Sequence, residues 1–295
     1  MPATPITSPQ KRKIAALVSE ATEKVIEEMG LDKEGAQWVI EMNGDEFAAA
    51  VREKVRELLT RLSVSDQFAD EEVASNYGYL SGYKQPKGIT EQTNRLRELI
   101  RGVGFADEKL AELPLPKLAE GFFAIPKWET VAPTYGEAVQ KVQDLLRAQR
   151  GGKFYSYREG QLGPLHLRQS ARSVAFWKRL ADAQKGYDIL VVPAQFGKRD
   201  GISRSVRRSR VVFTAQEFGL GAFASGIMLL THPERLQHYD DLWIDCAGDE
   251  YAPGADDQFV NAPYFYFDVD GLEFDAFGVG SYYDFCGSAS AFSPE

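Results

Sequence analysis

The segment GKRDGISRSVRRSR (197–210) carries the densest concentration of cationic side chains in the chain. Arg204, Arg207 and Arg208 stand at i, i+3 and i+4, so in a helix they would share one face. Asp200 or Ser203 could cap such a helix. A guanidinium presents a planar fork that donates two parallel hydrogen bonds, which suits phosphate. Lys198 and Arg199 lie in a glycine-flanked loop whose free N–H groups could approach the same anion. Arg168 and Arg172, one turn apart, could join them. The segment follows the apolar run DILVVPA, so it sits past the C-terminal end of a buried strand, where open α/β sheets bind ligands. Phe154, Tyr155, Tyr157 and Phe196 are close in sequence, and basic grooves with aromatic rings hold single-stranded nucleic acid. The competing reading is a solvated basic face neutralised by the chain's own acids.

A second constellation is HYDDLWIDCAGDEY (238–251). Asp240, Asp241, Asp245, Asp249 and Glu250 surround the apolar core Leu242-Trp243-Ile244. Asp245, Asp249 and Glu250 could hold Mg²⁺, which takes carboxylate oxygens together with substrate phosphate. His238 or His232 could then act as acid or base, since imidazole titrates near neutrality. Acids at strand ends are also ordinary solvated turn residues, and histidines at a helix C-terminus cap carbonyls.

A third feature, GLGAFA (219–224), matches the glycine pattern of dinucleotide-binding turns. Three residues, QEF, separate its first glycine from the preceding apolar run, and no second set of strand–helix units follows. Close helix packing through Gly219, Gly221, Ala222 and Gly226 explains the glycines equally well. The stretch DVDG lacks the remaining ligands of a calcium loop. Cys246 and Cys286 have no histidine placed by sequence to activate them and read as buried thiols.

Charge is distributed unevenly. Residues 147–210 hold fifteen Lys/Arg against four Asp/Glu, whereas residues 236–295 hold thirteen Asp/Glu and neither Lys nor Arg. Such asymmetry concerns partners and self-association rather than fold. The net charge of −9 argues against bulk nucleic-acid binding but leaves a local patch open. Two cysteines are too few for a disulfide framework, so a cytoplasmic setting is expected. The N-terminus lacks a secretory apolar core, and the most apolar run, 218–230, falls short of the roughly 20 residues that span a bilayer. A buried helix is expected there.

The elements that must position these groups follow from periodicity. Ile14, Leu17, Val18, Ala21, Val25 and Met29 repeat at helical spacing, KEGAQWVIEM adds a short helix, and 45–63 gives a third. The expected organisation is a helical region over 1–65, a mixed helical and loop region with a short strand over 66–150, and an α/β C-terminal domain with an acidic tail over 151–295, separated at Gly151-Gly152. In the last part, a helix is expected over PLHLRQSARSVAFWKRLADAQ, with Leu167, Val174, Trp177 and Leu180 on its buried side. A long helix is expected over about 203–236, with a possible break at Gly219 and Gly221. APYFYFDVDGLEFDAFG reads as a hairpin turning at Asp270-Gly271. The fold class is α/β or α+β, an N-terminal helical region followed by a mixed-sheet domain with a C-terminal antiparallel hairpin.

Three functions fit these features. The first is a polyanion-binding protein, for nucleic acid or a nucleotide phosphate, using Lys198, Arg199, Arg204, Arg207, Arg208, Arg168 and Arg172. The second is a Mg²⁺-dependent phosphoryl-transfer or nuclease-type enzyme built on Asp245, Asp249, Glu250 and His238. The third is an interaction protein without a catalytic site, meeting a basic partner or a second copy through its oppositely charged segments. Whether the chain is an enzyme stays open at this point, and no membrane partner is expected.

Overall fold

Thr7 opens the first helix through a capping box with Gln10, and Pro9 occupies the first turn where no N–H is needed. This helix, α1 (Ser8–Met29), stops at Gly30, which adopts the left-handed conformation. Asp32 caps α2 (Lys33–Met42), and α3 (Gly44–Leu62) follows. The computed structural model describes residues 7–62, 66–254 and 258–293. Contacts divide the chain into residues 1–65 and 66–295. Among the described residues, α1 and α2 contribute nothing to a buried core.

The larger unit runs β1 (Glu72–Ala74), α4 (Ile89–Leu99), β2 (Gly121–Pro126), α5 (Tyr135–Gln149), β3 (Phe154–Ser156), β4 (Leu167–Gln169), α6 (Ala171–Ala183) and β5 (Ile189–Gln195). It continues with β6 (Ile202–Arg204), α7 (Val206–Val212), β7 (Glu217–Gly219), α8 (Ala222–Thr231), β8 (Trp243–Asp245) and β9 (Asp249–Tyr251). The hairpin β10 (Asn261–Asp268) and β11 (Gly271–Gly278) precedes β12 (Cys286–Ser288) and β13 (Ser290–Phe292). The architecture is α+β with mixed sheets, as the sequence implies.

One sheet is antiparallel in the order β2-β5-β13-β7. A second has the path β12-β8-β10-β11-β3, with β9 joining β10 to β4, and β1 pairs with β6 in a third, two-stranded sheet. The chain crosses between the first two at Ala289, between β12 and β13. Helix α8 is buried on every side, which is what a helix apolar all round requires. Gly226 on α8 lets α5 approach so closely that an added Cβ would lie 2.5 Å from Val142. Every residue of β5 is buried, and the Gln184 side chain bonds both N–H and C=O of Val191. β2 and β5 pair across Gly151-Gly152, so residues before and after that glycine pair share one core.

Four local expectations are corrected. The span 203–236 is broken at Gly219 and Gly221, as the glycines allow, but β7 rather than helix precedes the break and separates α7 from α8; Phe218 packs against Phe176 of α6, and β13 satisfies the strand's backbone. The first residues of the expected helix before Ser170 form β4 instead, paired with β9. In α6 the buried side is Ser173, Phe176 and Leu180, whereas Val174 is 48% exposed. The hairpin turns at Val269-Asp270, one residue early, with Val269 at φ 46°. Inward Phe265 and Phe274 fix the register, since a one-residue slip would expose that whole face.

Candidate functional site

Ser205, rather than Asp200 or Ser203, caps α7 by accepting from the Arg208 N–H. Arg204 therefore ends β6, and Arg207 and Arg208 stand on the helix. All three still converge, but on acids of the same chain. Arg207 donates to Glu71, Arg208 and Arg204 donate to Glu72, and Arg204 also forks onto Asp200 with both bonds at 2.9 Å. Arg207 holds the Glu71 carboxyl below its usual range; burial pushes Glu72 up, but Arg208 and Arg204 outweigh it. Arg199 pairs with buried Glu217, Arg172 donates to the carbonyls of Thr214 and Glu217, and Arg168 donates to Glu250 at 2.7 Å. Lys198 sits 5.9 Å from the Tyr79 ring, beside a cleft of about 220 Å³ that Ser75, Asn76 and Ser203 also line. Of the nearby rings, Phe154 and Phe196 are buried, whereas Tyr155 and Tyr157 are exposed on the other sheet.

The arginines of 204–208 thus serve first to dock β1 onto β6. In the double variant Glu71→Gln, Glu72→Gln, urea denaturation is expected to show a stability loss of about 2 kcal/mol or more from the Glu72 position. Single-stranded DNA should bind the variant more tightly than wild type at low salt, with a steeper salt dependence. Equal binding would show that these acids do not mask the arginines.

The acidic stretch separates into individual roles. Asp241 accepts from the N–H groups of Leu80, Ser81, Gln237 and His238 and from the Ser81 hydroxyl, tying two loops together. Asp245 is buried in β8 beside its cross-strand neighbours Ser288 and Tyr264, and its Oδ1 has no hydrogen-bond partner. Burial raises its pKa to about 8. Asp249 accepts from the Ala222 N–H at 2.7 Å and from the Tyr135 hydroxyl. Burial raises it to about 7 against the opposing pull of those donors and of Arg210. Glu250 pairs with Arg168. The three proposed Mg²⁺ ligands therefore face three different sets of neighbours, and among the described residues no group of three His, Cys, Asp or Glu forms a metal cage. His238 is half-exposed and accepts from the Asp240 N–H. His232 is fully buried, accepts from the Lys87 N–H at Nε2, and is lowered by burial to about 4.

The GLGAFA glycines allow close packing. A Cβ on Gly219 would lie 2.5 Å from the Ala247 backbone, and one on Gly221 would lie 2.1 Å from Asp249 Oδ1. The start of α8 is already closed by Asp249, which accepts from the Ala222 N–H and from the Tyr135 hydroxyl. A pyrophosphate would have to displace both.

That same helix start lies at the floor of a cleft of about 480 Å³, within the range of small-molecule sites. Four sequence segments supply most of its lining, with Gln169 and Leu190 completing it. β2 ends at Pro126, which places Lys127 and Trp128 in a short turn. A Thr134–Glu137 capping box starts α5 at Tyr135. Ser170 caps α6, whose Val174, Trp177 and Ala181 recur at helical spacing on the cleft side. Gly221, Phe223 and Ala224 come from the start of α8. Trp128 meets Tyr135 edge-to-face at 6.0 Å, and Trp177 meets Phe218 at 5.2 Å. Lys127, Lys178, Glu129 and Asp182 supply polar atoms around these rings. Sequence reasoning placed Trp177 in the core and passed over Trp128 and Tyr135. The available signal was Trp177 at i+3 from Val174, on a stripe beside the truly buried Phe176 and Leu180. No helix among the described residues is long and apolar enough to cross a membrane. Against protein-family models, curated proteins and solved structures alike, the chain finds no match.

Proposed function

We propose that residues 66–295 bind a small, ring-bearing, largely apolar molecule in the cleft of Trp128, Tyr135, Trp177 and Phe223. The observation that carries this reading is the concentration of aromatic side chains around a cavity of small-molecule size, with the Tyr135 hydroxyl among its lining groups. Aromatic walls supply apolar area and ring contacts. Tyr135 donates to Asp249, which leaves its oxygen able to accept from a donor on the ligand. The lysines and acids around the rings would select the ligand's polar end. A cytoplasmic setting agrees with two buried free thiols.

The probe for this reading is 1-anilinonaphthalene-8-sulfonate, followed by its own fluorescence and by quenching of tryptophan. Wild type should bind it at one site. Trp177→Ala should weaken it about tenfold, the scale of a lost aromatic contact, and Ala181→Trp should fill the cleft and abolish it. Unchanged binding in both variants would remove the cleft from consideration.

The loop cleft at Lys198 supports a second, narrower reading as a site for one phosphate group. Lys198, Ser75, Asn76 and Ser203 line it, and a polyanion would engage it at that one position rather than along 197–210.

A further inference from the structure

The outer face of the β8-β10-β11-β3 sheet is paved with aromatic rings. Trp243 contacts Tyr264, Tyr266 and Phe285 at centroid distances of 5.6, 4.6 and 4.5 Å. Tyr283 stacks on Phe285, and Phe277 meets Tyr264 edge-on. The row is not sealed, since Tyr155, Tyr157 and Tyr283 are each about half exposed. Sheet alternation explains it: Tyr264 and Tyr266 point out, while Phe265 points in toward Phe274 and the core. Apolar area of this kind, ordered but left in contact with solvent, marks interaction surfaces.

At one end of the row the rings surround a carboxylate. Glu273 is the cross-strand neighbour of Tyr155 on one side and of Tyr266 on the other. Tyr266 donates its hydroxyl to Glu273, and the Tyr157 hydroxyl lies within reach of both. Tyr155 and Tyr157 meet at 4.6 Å. A carboxylate among tyrosine rings is the composition that recognises organic cations: the ring faces attract the charge and the carboxylate neutralises it.

The surrounding charge has the matching sign. Residues 236–295 contain neither Lys nor Arg. Two of the acids on these strands and their turn are matched from outside that stretch, Asp275 by Arg158 and Asp270 by Lys153. Among the described residues, Asp268, Glu273 and Asp284 form no ion pair. The basic segment 197–210 has its charges committed elsewhere: Arg199, Arg204, Arg207 and Arg208 are engaged by Glu71, Glu72, Asp200 and Glu217, Arg210 by the carbonyls of Ala247 and Asp249, and Lys198 lies by the Tyr79 ring.

We infer that this face docks a basic polypeptide segment of a partner protein, with an arginine or lysine side chain seated on Glu273 among Tyr155, Tyr157 and Tyr266 and the rest of the segment lying along the aromatic row. Tyrosine and tryptophan are the residues that dominate protein interfaces, and complementary charge sets both specificity and encounter rate. The ring edges and hydroxyls offered here suit peptide groups and guanidinium planes.

The test is titration of the full chain with deca-arginine, monitored calorimetrically, with choline and cellohexaose as comparison ligands. The expected result is binding that weakens as salt rises, and that drops at least fivefold in Glu273→Gln and in Tyr157→Ser while both variants keep the wild-type melting temperature. Binding equal in wild type and both variants would overturn the proposal by showing attraction to net charge alone. Choline bound as tightly as the peptide would overturn it in favour of a free small cation, and cellohexaose binding lost in Tyr157→Ser would assign the face to a sugar. A variant that fails to fold is replaced by Tyr155→Ser, on an exposed ring of the same cluster.

Discussion

Asp245→Asn is expected to be more stable than wild type at pH 8.5, by roughly 5 kcal/mol, and indistinguishable from it near pH 4. Asp245 is 1% exposed, its Oδ1 lacks a partner, and burial alone raises it to about 8. In the unfolded chain an aspartate titrates near 3.9. Between those values the native state holds a proton that the unfolded state has released. Stability therefore falls as pH rises through this window and levels off above the folded value. Asparagine resembles the protonated acid and carries no such dependence. Asp249, raised to about 7, adds a slope of the same sign. His232, lowered to about 4, contributes the opposite slope below its unfolded value near 6.5. The wild type should therefore lose stability most steeply between about pH 6.5 and 7, where both aspartates titrate in this sense and His232 no longer opposes them. The measurement is urea denaturation of both proteins at pH 5, 6.5 and 8.5. A constant difference across the three pH values would show that Asp245 does not titrate in the native state as described.

Asp249→Ala is expected to cost about 3 kcal/mol and to weaken the naphthalene probe at least tenfold. The carboxylate caps α8 from a distant strand, because Gly221 at the N-cap position has no side chain to do so. Alanine would leave the Ala222 N–H and the Tyr135 hydroxyl as buried donors without their acceptor. Tyr135 would then lose the orientation it needs at the cleft floor. Asp249→Asn keeps one oxygen and should retain part of both stability and binding. Loss of probe binding in Asp249→Ala with no loss of stability would separate the cap from the fold and refute this role.

Local signals specify much of the local structure, where no distant partner overrides them. Thr7 with Gln10 and Thr134 with Glu137 each write a helix start within four residues, and the structure forms both capping boxes. The apolar run of β5 and the alternation of β10 and β11 specify strands in the same way. The turn of that hairpin was misplaced by one residue because its Asp-Gly pair is a strong local signal, whereas the inward phenylalanines set the register through the core. The break of the 203–236 helix at Gly219 and Gly221 was legible, but the strand before it was not, for a similar reason: β7 is three residues long, and it is a strand only because β13, more than seventy residues later, pairs with it.

The candidate sites show the same division. The sequence by itself determined the charge asymmetry, the fold class, the absence of basic residues from the tail, and the residue types able to bind phosphate or metal. Which of those charges remain available was decided only by tertiary structure. Glu71 and Glu72 lie more than 130 residues before the arginines they neutralise, and no local pattern links them. Trp128, Tyr135, Trp177 and Gly221 come from four separate elements and become a cleft only when α5, α6 and α8 assemble. The chemical character of a carboxylate depends in turn on what surrounds it. Asp241, Asp245 and Asp249 are alike within one short acidic stretch; backbone donors engage the first, burial alone raises the second toward neutrality, and the third becomes the cap of a helix.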